Sequence, residues 1–330
     1  MQQPGYDALI VVSFGGPEKP EDVMPFLENV TRGRGIPRER LEEVAEHYYH
    51  FGGKSPINDQ NQALIAALRE LLDREGPHIP IYWGNRNWEP YLVDTVRQMK
   101  QDGIHRAAAF ITSAFGSYSG CKQYKEDIER AISEVENPPE LIPMAQFWNQ
   151  PGFLQPMADR VREAAAAFPI TPHIAFTAHS VPTSMAVTGP YVQQLNSACQ
   201  EVAQMAAAPD WKLVYQSRSG SPTQPWLEPD ILDHIRDLHT SGVRELVIAP
   251  IGFISDHMEV LYDLDTEASE LCDSLGMKMK RAGTVGTHPD FVRMIRDTMH
   301  TVRVCAPDCC PRPQRPVSVR PETSSAPAGS

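Results

Sequence analysis

No apolar run in this chain of 330 residues approaches the roughly 20 residues that a membrane-spanning helix requires. The longest convincing run, residues 246–254, is interrupted by Pro250 and Gly252. Positive charge is also scarce: 30 Lys and Arg stand against 42 Asp and Glu, for a formal net charge of -12. That balance argues against broad binding to nucleic acid or anionic lipid, so an anionic ligand must be met by a local basic patch. The first residues carry no Lys or Arg ahead of a short apolar stretch at 8–12, a pattern unlike a secretory leader. A cytoplasmic protein with no integral membrane segment is expected. Nucleotide fingerprints are missing as well. No Gly-x-Gly-x-x-Gly follows residues 7–13, and Gly52-Gly-Lys-Ser55 lacks the earlier glycine of a phosphate-binding loop, where Tyr48 stands instead.

What is present is the composition of an ordinary globular protein, 41% hydrophobic and 22% charged. Short apolar runs at 7–13, 79–83, 107–112, 173–177, 212–216 and 245–250 read as strands. Amphipathic stretches at 58–74, 89–101, 122–134, 153–167, 190–206, 228–239 and 258–272 read as helices between them. The alternation predicts an α/β fold, with parallel sheets covered by helices on both faces. So many units suit two doubly wound domains, residues 1–145 and 146–284, with the crossover near the Pro-marked segment 137–151. A terminal helix within 285–304 is expected to pack back. A cysteine cluster follows at 305–310, and a Pro- and Ser-rich tail at 311–330 is expected to be disordered.

Two segments carry side chains suited to metal chemistry just past strand ends, where ligands gather on open parallel sheets. They are Phe176-Thr-Ala-His-Ser-Val-Pro182 and Ile254-Ser-Asp-His-Met-Glu-Val-Leu-Tyr-Asp-Leu-Asp265. In the second, Glu259, Asp263 and Glu267 recur every four residues and line one face of a helix. Like charges at that spacing repel, and a divalent cation would relieve the repulsion. An imidazole combined with a carboxylate suits Fe(II), Co(II) or Zn(II). Two such ligands make an open site that can release its metal, as a transfer catalyst requires.

At these residues the chain resembles the ferrochelatase family, and the resemblance runs from about residue 7 to 300. It extends to Ser13-Phe-Gly-Gly-Pro17, Phe51-Gly-Gly-Lys-Ser-Pro56, Tyr215-Gln-Ser-Arg218 and Pro225-Trp-Leu-Glu-Pro-Asp230. The resemblance implies two Rossmann-like domains with a porphyrin cleft between them, and ATP-independent insertion of Fe(II), which is a substrate. It implies that His179 and Glu259 are the metal-site pair, on opposite sides of the porphyrin plane, with Asp263 and Glu267 as the metal path. Ser55 and Tyr124 are implied as porphyrin contacts. Phe14 stands where some soluble relatives have a Tyr that can ligate iron, so that role does not transfer. Thr188-Gly-Pro-Tyr191 lacks the Asp usual in that turn.

Arg32, Arg34, Arg38 and Arg40 form a basic cluster between two of these motifs, and Arg32 and Arg34 are expected to meet porphyrin propionates. Cys305, Cys309 and Cys310 fall close together, which in a cytoplasmic chain suggests metal before disulfide. The resemblance supplies Cys121 as a fourth ligand and implies a 2Fe-2S cluster; zinc is the alternative. Cys199 and Cys272 read as buried apolar residues. Members with such a cluster and no membrane anchor occur among actinobacteria. There the resemblance implies coproporphyrin III as substrate and other heme-pathway enzymes as partners. Protoporphyrin IX, cobalt loading of a sirohydrochlorin, and a non-catalytic tetrapyrrole carrier are the competing readings.

Overall fold

The computed structural model describes residues 5–33, 35–218, 224–305 and 309–311. It contains two four-stranded parallel sheets. The first holds β1 (Ala8–Ser13), β2 (Ile81–Asn85), β3 (Arg106–Ile111) and β4 (Glu140–Pro143) in the order β2-β1-β3-β4. The second holds β5 (His173–His179), β6 (Trp211–Gln216), β7 (Glu245–Ala249) and β8 (Lys278–Arg281) in the order β6-β5-β7-β8. The two halves therefore repeat one topology, and β5 occupies the place in its sheet that β1 occupies in the other.

The strand sequences explain the sheets. β1 reads Ala-Leu-Ile-Val-Val-Ser and is buried throughout, as a central parallel strand covered on both faces must be. The four-residue strands β4 and β8 lie at sheet edges and were not expected from hydropathy. Their sequences, Glu-Leu-Ile-Pro and Lys-Met-Lys-Arg, are short and partly polar. The helix Pro20–Val30 was likewise unexpected; Pro20 occupies its first position, where the missing N–H costs nothing. Elsewhere local chemistry marks the boundaries. Asp230 caps the helix Ile231–Thr240 by accepting from the Leu232 N–H at 2.8 Å, and Gly76 at φ +73° closes the helix Ile57–Glu75.

One apolar cluster joins the halves, running from Leu9, Val11 and Phe110 to Phe176, Ala178 and Val247. The helix Pro289–Asp297 completes it. Phe291, fully buried, lies with its ring centroid 6.2 Å from Phe110, 5.6 Å from Phe147 and 6.4 Å from Phe153. Among the described residues no helix is long and apolar enough to cross a membrane.

Candidate active site

His179 is the last residue of β5, and Glu259 lies in a helical turn, Met258–Val260, reached by a loop from the end of β7 at Ala249. Because β5 and β7 are neighbours in one sheet, their ends deliver the two side chains side by side. His179 Nε2 stands 3.5 Å from Glu259 Oε1. This corrects the expectation that the pair faces across a porphyrin plane. A flat ring between two groups needs about 7 Å, two van der Waals contacts, and only half of that separates these atoms. Imidazole and carboxylate occupy the same wall.

The helix expected over 258–272 is not continuous. A short α-turn, Met258–Val260, passes into a π-helical segment, Leu261–Ala268, before α-geometry returns at Ser269–Ser274. Such widened turns recur at functional sites. Here the turn carries Asp263, which accepts from Gln216 Nε2 at 3.4 Å and from the Ser217 hydroxyl. Ser217 is held at φ +61°, unusual for a residue with a Cβ and a sign of local strain. Gln216 also donates to the Glu259 carbonyl at 3.1 Å. Two sequence-adjacent residues thus fix both ends of the Glu259–Asp263 step.

Electrostatics follow from this packing. Burial works against a charged His179, but the Glu259 carboxylate beside it, helped by the Ser180 carbonyl and Asp263, outweighs burial and lifts the imidazole to about 9. His179 Nδ1 donates to the Ser180 carbonyl at 2.5 Å, so Nε2 is the nitrogen turned toward Glu259. Burial likewise opposes ionisation of Glu259, yet His179 and His257 hold its carboxyl down at about 2. Asp263 goes the other way. Burial, reinforced by Glu259 and Glu267, raises it to about 7 against the Ser217 hydrogen bond. Burial and then Asp230 also raise Glu267, farther out along the same turn. At neutral pH the site therefore holds an imidazolium–carboxylate pair next to a carboxyl poised between its two forms.

Several of these partners carried no role in the sequence reading. His257 Nε2 lies 3.9 Å from Glu259 Oε2, and its Nδ1 accepts from the Glu259 N–H at 3.2 Å. Tyr191 donates its hydroxyl to the His179 carbonyl at 3.0 Å. Their sequence signal was proximity to the two motifs and nothing more specific.

In the other half, the turn after β1 stands where His179 and Ser180 stand after β5. Ser13 accepts from Asn61 Nδ2 at 2.7 Å, and Phe14 packs edge-on to Phe26. Gly16 is required there, because a Cβ would come within 2.6 Å of Ser55 Cβ. Ser55 is buried, and so is Tyr124, whose ring is covered by the Arg86 guanidinium 4.3 Å from its centroid. Arg86 is in turn paired with buried Asp127. The expected porphyrin contacts at Ser55 and Tyr124 are thus closed in this structure. Arg32 is exposed, and Arg34 lies outside the described residues. Arg38 and Arg40 are tied to acidic neighbours, Arg38 to Glu42 at 2.9 Å and Arg40 to Glu43 at 2.6 Å. Two of the four arginines are thus paired along the helix Arg38–His50.

Comparison with known proteins decides the family, since the ferrochelatase family model matches residues 6–302. The chain is a ferrochelatase family member. A protein of Rhodopirellula baltica named ferrochelatase is 57% identical over 297 residues, covering 88% of this chain and 85% of that protein. One from Streptomyces coelicolor, named coproporphyrin III ferrochelatase, is 50% identical over 315 residues, covering 88% of this chain and 84% of that protein. Among solved structures, SirB from Bacillus subtilis with Fe3+ superposes with a TM-score of 0.57 at 10% identity, over 89% of this chain and 96% of that one. At that identity the likeness concerns the fold alone.

Cys121, Cys305, Cys309 and Cys310, expected to hold a cluster, are free thiols in this ferrochelatase. Cys121 is influenced by Cys310 and Cys305, and Cys305 and Cys310 are each influenced by Cys309. Arg303 donates to Cys121 Sγ at 3.2 Å. The Cys310 contact and the Arg303 charge, against burial, draw Cys121 down to about 6, so it is a thiolate at neutral pH. Burial raises Cys305 to about 11, and the Cys121 contact followed by burial raises Cys310, so these two thiols stay protonated at neutral pH. Among the described residues no trio of His, Cys, Asp or Glu stands in ready metal-holding geometry, so the 2Fe-2S expectation is not demonstrated. Cys199 and Cys272 are buried free thiols, and burial raises both.

Proposed function

We propose that this ferrochelatase inserts Fe(II) into coproporphyrin III without ATP, as a cytoplasmic step of heme biosynthesis alongside other enzymes of that pathway. The reading of the site rests on the direct contact of His179 with Glu259, flanked by Asp263. The choice of ring follows the names of the Streptomyces relative and its like, and exposed Arg32, with Arg34 near it in sequence, is available to propionates.

Metallation releases two pyrrole protons for each dication bound, so the site must trade protons against metal. Iron arriving along Glu267 and Asp263 meets the Glu259 carboxylate. Engaging the metal weakens the hold of Glu259 on His179, and the imidazolium then gives up its Nε2 proton to solvent. The other proton stays on Nδ1, which donates to the Ser180 carbonyl, so the freed Nε2 lone pair accepts a pyrrole proton. Asp263, near its midpoint at neutral pH, offers a second place for a proton. In this reading residues 1–145 and 146–284 are the two lobes around the ring, with 285–304 packed across them. Ser55 and Tyr124 reach the porphyrin once Arg86 leaves the Tyr124 face. Cys121, Cys305, Cys309 and Cys310 would hold a 2Fe-2S centre, which supplies a covalent tie between the C-terminal segment and the 117–122 turn.

The test is steady-state metallation of coproporphyrin III and protoporphyrin IX with Fe(II), in the wild type and in His179→Ala and Glu259→Ala. Faster turnover of coproporphyrin III, lost in both variants while porphyrin binding persists, is expected. Preference for protoporphyrin IX overturns the ring assignment, and near-normal turnover in either variant overturns its residue's role. Labile sulfide and visible absorption in anaerobically purified protein test the cluster; zinc without sulfide defeats it.

A further inference from the structure

The segment carrying Glu259 belongs to the second half of the molecule, but residues of the first half grip it on both sides. Ahead of Glu259, Gln60 on the helix Ile57–Glu75 pairs with the backbone of Asp256 in both directions. Its Nε2 donates to the Asp256 carbonyl at 2.8 Å, and the Asp256 N–H donates to its Oε1 at 2.8 Å. Beyond Glu259, the His47 imidazole from the helix Arg38–His50 lies flat on the Tyr262 ring, centroids 3.6 Å apart and planes 8° from parallel. Asp256 is fixed a second time by Arg281 at the end of β8, through Nη1 to Oδ1 at 3.0 Å. The same guanidinium holds both carboxylate oxygens of Asp265, at 2.5 and 2.9 Å. Glu259 thus stands on a stretch of chain anchored at residues 256, 262 and 265.

The Gln60 contact is chemically specific. It imitates a strand bridge with a side chain, and it needs an amide donor and an amide acceptor at the reach of glutamine. Glutamate keeps the acceptor but loses the donor, and asparagine is one methylene short.

We propose that Gln60 is a positioning residue for metal insertion: through the Asp256 backbone it transmits the seating of the first half to the Glu259 carboxylate. The proposal rests on the role assigned above to Glu259. Gln60 touches neither reacting atom. Its effect lies in where the carboxylate stands when iron arrives, and a displacement of about 1 Å at a reacting group can cost on the order of 100-fold in rate.

The experiment measures Fe(II) insertion into coproporphyrin III by the full-length wild type, Gln60→Ala, Gln60→Glu, Glu259→Gln, Arg281→Met and the double variant Gln60→Ala/Arg281→Met. It is read together with porphyrin Kd by fluorescence quenching and with the thermal midpoint. Gln60→Ala is expected to lower kcat by about 10- to 100-fold and raise the KM for Fe(II), with porphyrin Kd and Tm at wild-type values. The near-isosteric Gln60→Glu is expected to be similarly impaired. The double variant is expected to lose less than the product of the single losses, because both residues act through Asp256. Wild-type kcat in Gln60→Ala alongside an inactive Glu259→Gln overturns this proposal alone. Wild-type kcat in Glu259→Gln overturns the reading beneath it. Strictly multiplicative losses, or an effect confined to Tm and porphyrin Kd, also overturn the positioning role.

Discussion

Replacing Glu259 by Gln removes a charge and almost no volume, and the structure sets what His179 must then do. Unit charges 3.5 Å apart attract by about 1.2 kcal/mol at the dielectric of water and by about 5 kcal/mol at an effective dielectric of 20. The side chains are 32% and 44% exposed, so solvent screens the pair, and about 2 to 3 kcal/mol is a reasonable working value. At 1.36 kcal/mol per pH unit that is about two units. His179 should therefore fall from about 9 in the wild type to about 7 or below in Glu259→Gln, where burial opposes its charge with less opposition. The stability consequence has a definite sign. A raised histidine stabilises the fold fully below its unfolded value of 6.5, and that contribution disappears as pH climbs through about 9. The depressed Glu259 contributes above its ordinary 4.5 and loses its contribution as pH falls toward about 2. The wild type should thus exceed Glu259→Gln in stability most clearly between about pH 4.5 and 6.5, with the difference fading toward pH 9. Histidine-labelled protein titrated by NMR, with His179→Ala to assign the signal, reads the midpoint directly. A His179 midpoint that moves by less than about half a unit in Glu259→Gln would refute the argument, because the contact would then carry too little of the charge.

Asp263→Asn should flatten the pH dependence of iron insertion around neutrality. Burial first, and then Glu259 and Glu267, set Asp263 at about 7, so its carboxylate form, needed to meet the metal, grows as pH rises through that value; an unchanged profile removes Asp263 from the path. Gly53→Ala places a Cβ 2.5 Å from the Pro20 backbone at φ +79°, and the left-handed strain and overpacking together should cost about 3 kcal/mol, read as a lower urea midpoint. Phe291→Ala empties a fully buried site between the halves and should cost about 3 to 5 kcal/mol by the same measurement, with both halves losing protection from hydrogen exchange together.

Sequence pattern carried the central strands because a buried parallel strand is apolar along nearly its whole length, as β1 and β7 are apart from Ser13 and Glu245. It missed β4 and β8 for the converse reason: edge strands of four residues with Glu, Lys and Arg among them have no such signature. His179 and Glu259 were legible as individuals from their places after strands. Their contact was not, because the adjacency of β5 and β7 is a fact of sheet order, and nothing local to either motif encodes it. The carboxylate ladder was expected on one α-helix, but it runs from a short α-turn into a π-helical segment. Spacing by four does not distinguish α from π geometry, and the hydrogen bonds from Gln216 and Ser217 that accompany the widened turn come from another strand end. Of the basic cluster, Arg38 and Arg40 pair with their i+4 and i+3 glutamates, neighbours that a count of arginines alone leaves out.

The helix Pro289–Asp297 bears on how the molecule is made. Phe291 fills a gap lined by Phe110, Phe147 and Phe153, residues that leave the ribosome long before it does. Through most of synthesis both sheets can form while that gap stays open, and domains that emerge first fold first. Closure waits for residues 289–297. A nascent molecule halted before residue 289 would present an aromatic hole to its surroundings, so translation of residues 289–297 is also the step that seals the apolar cluster shared by the two sheets.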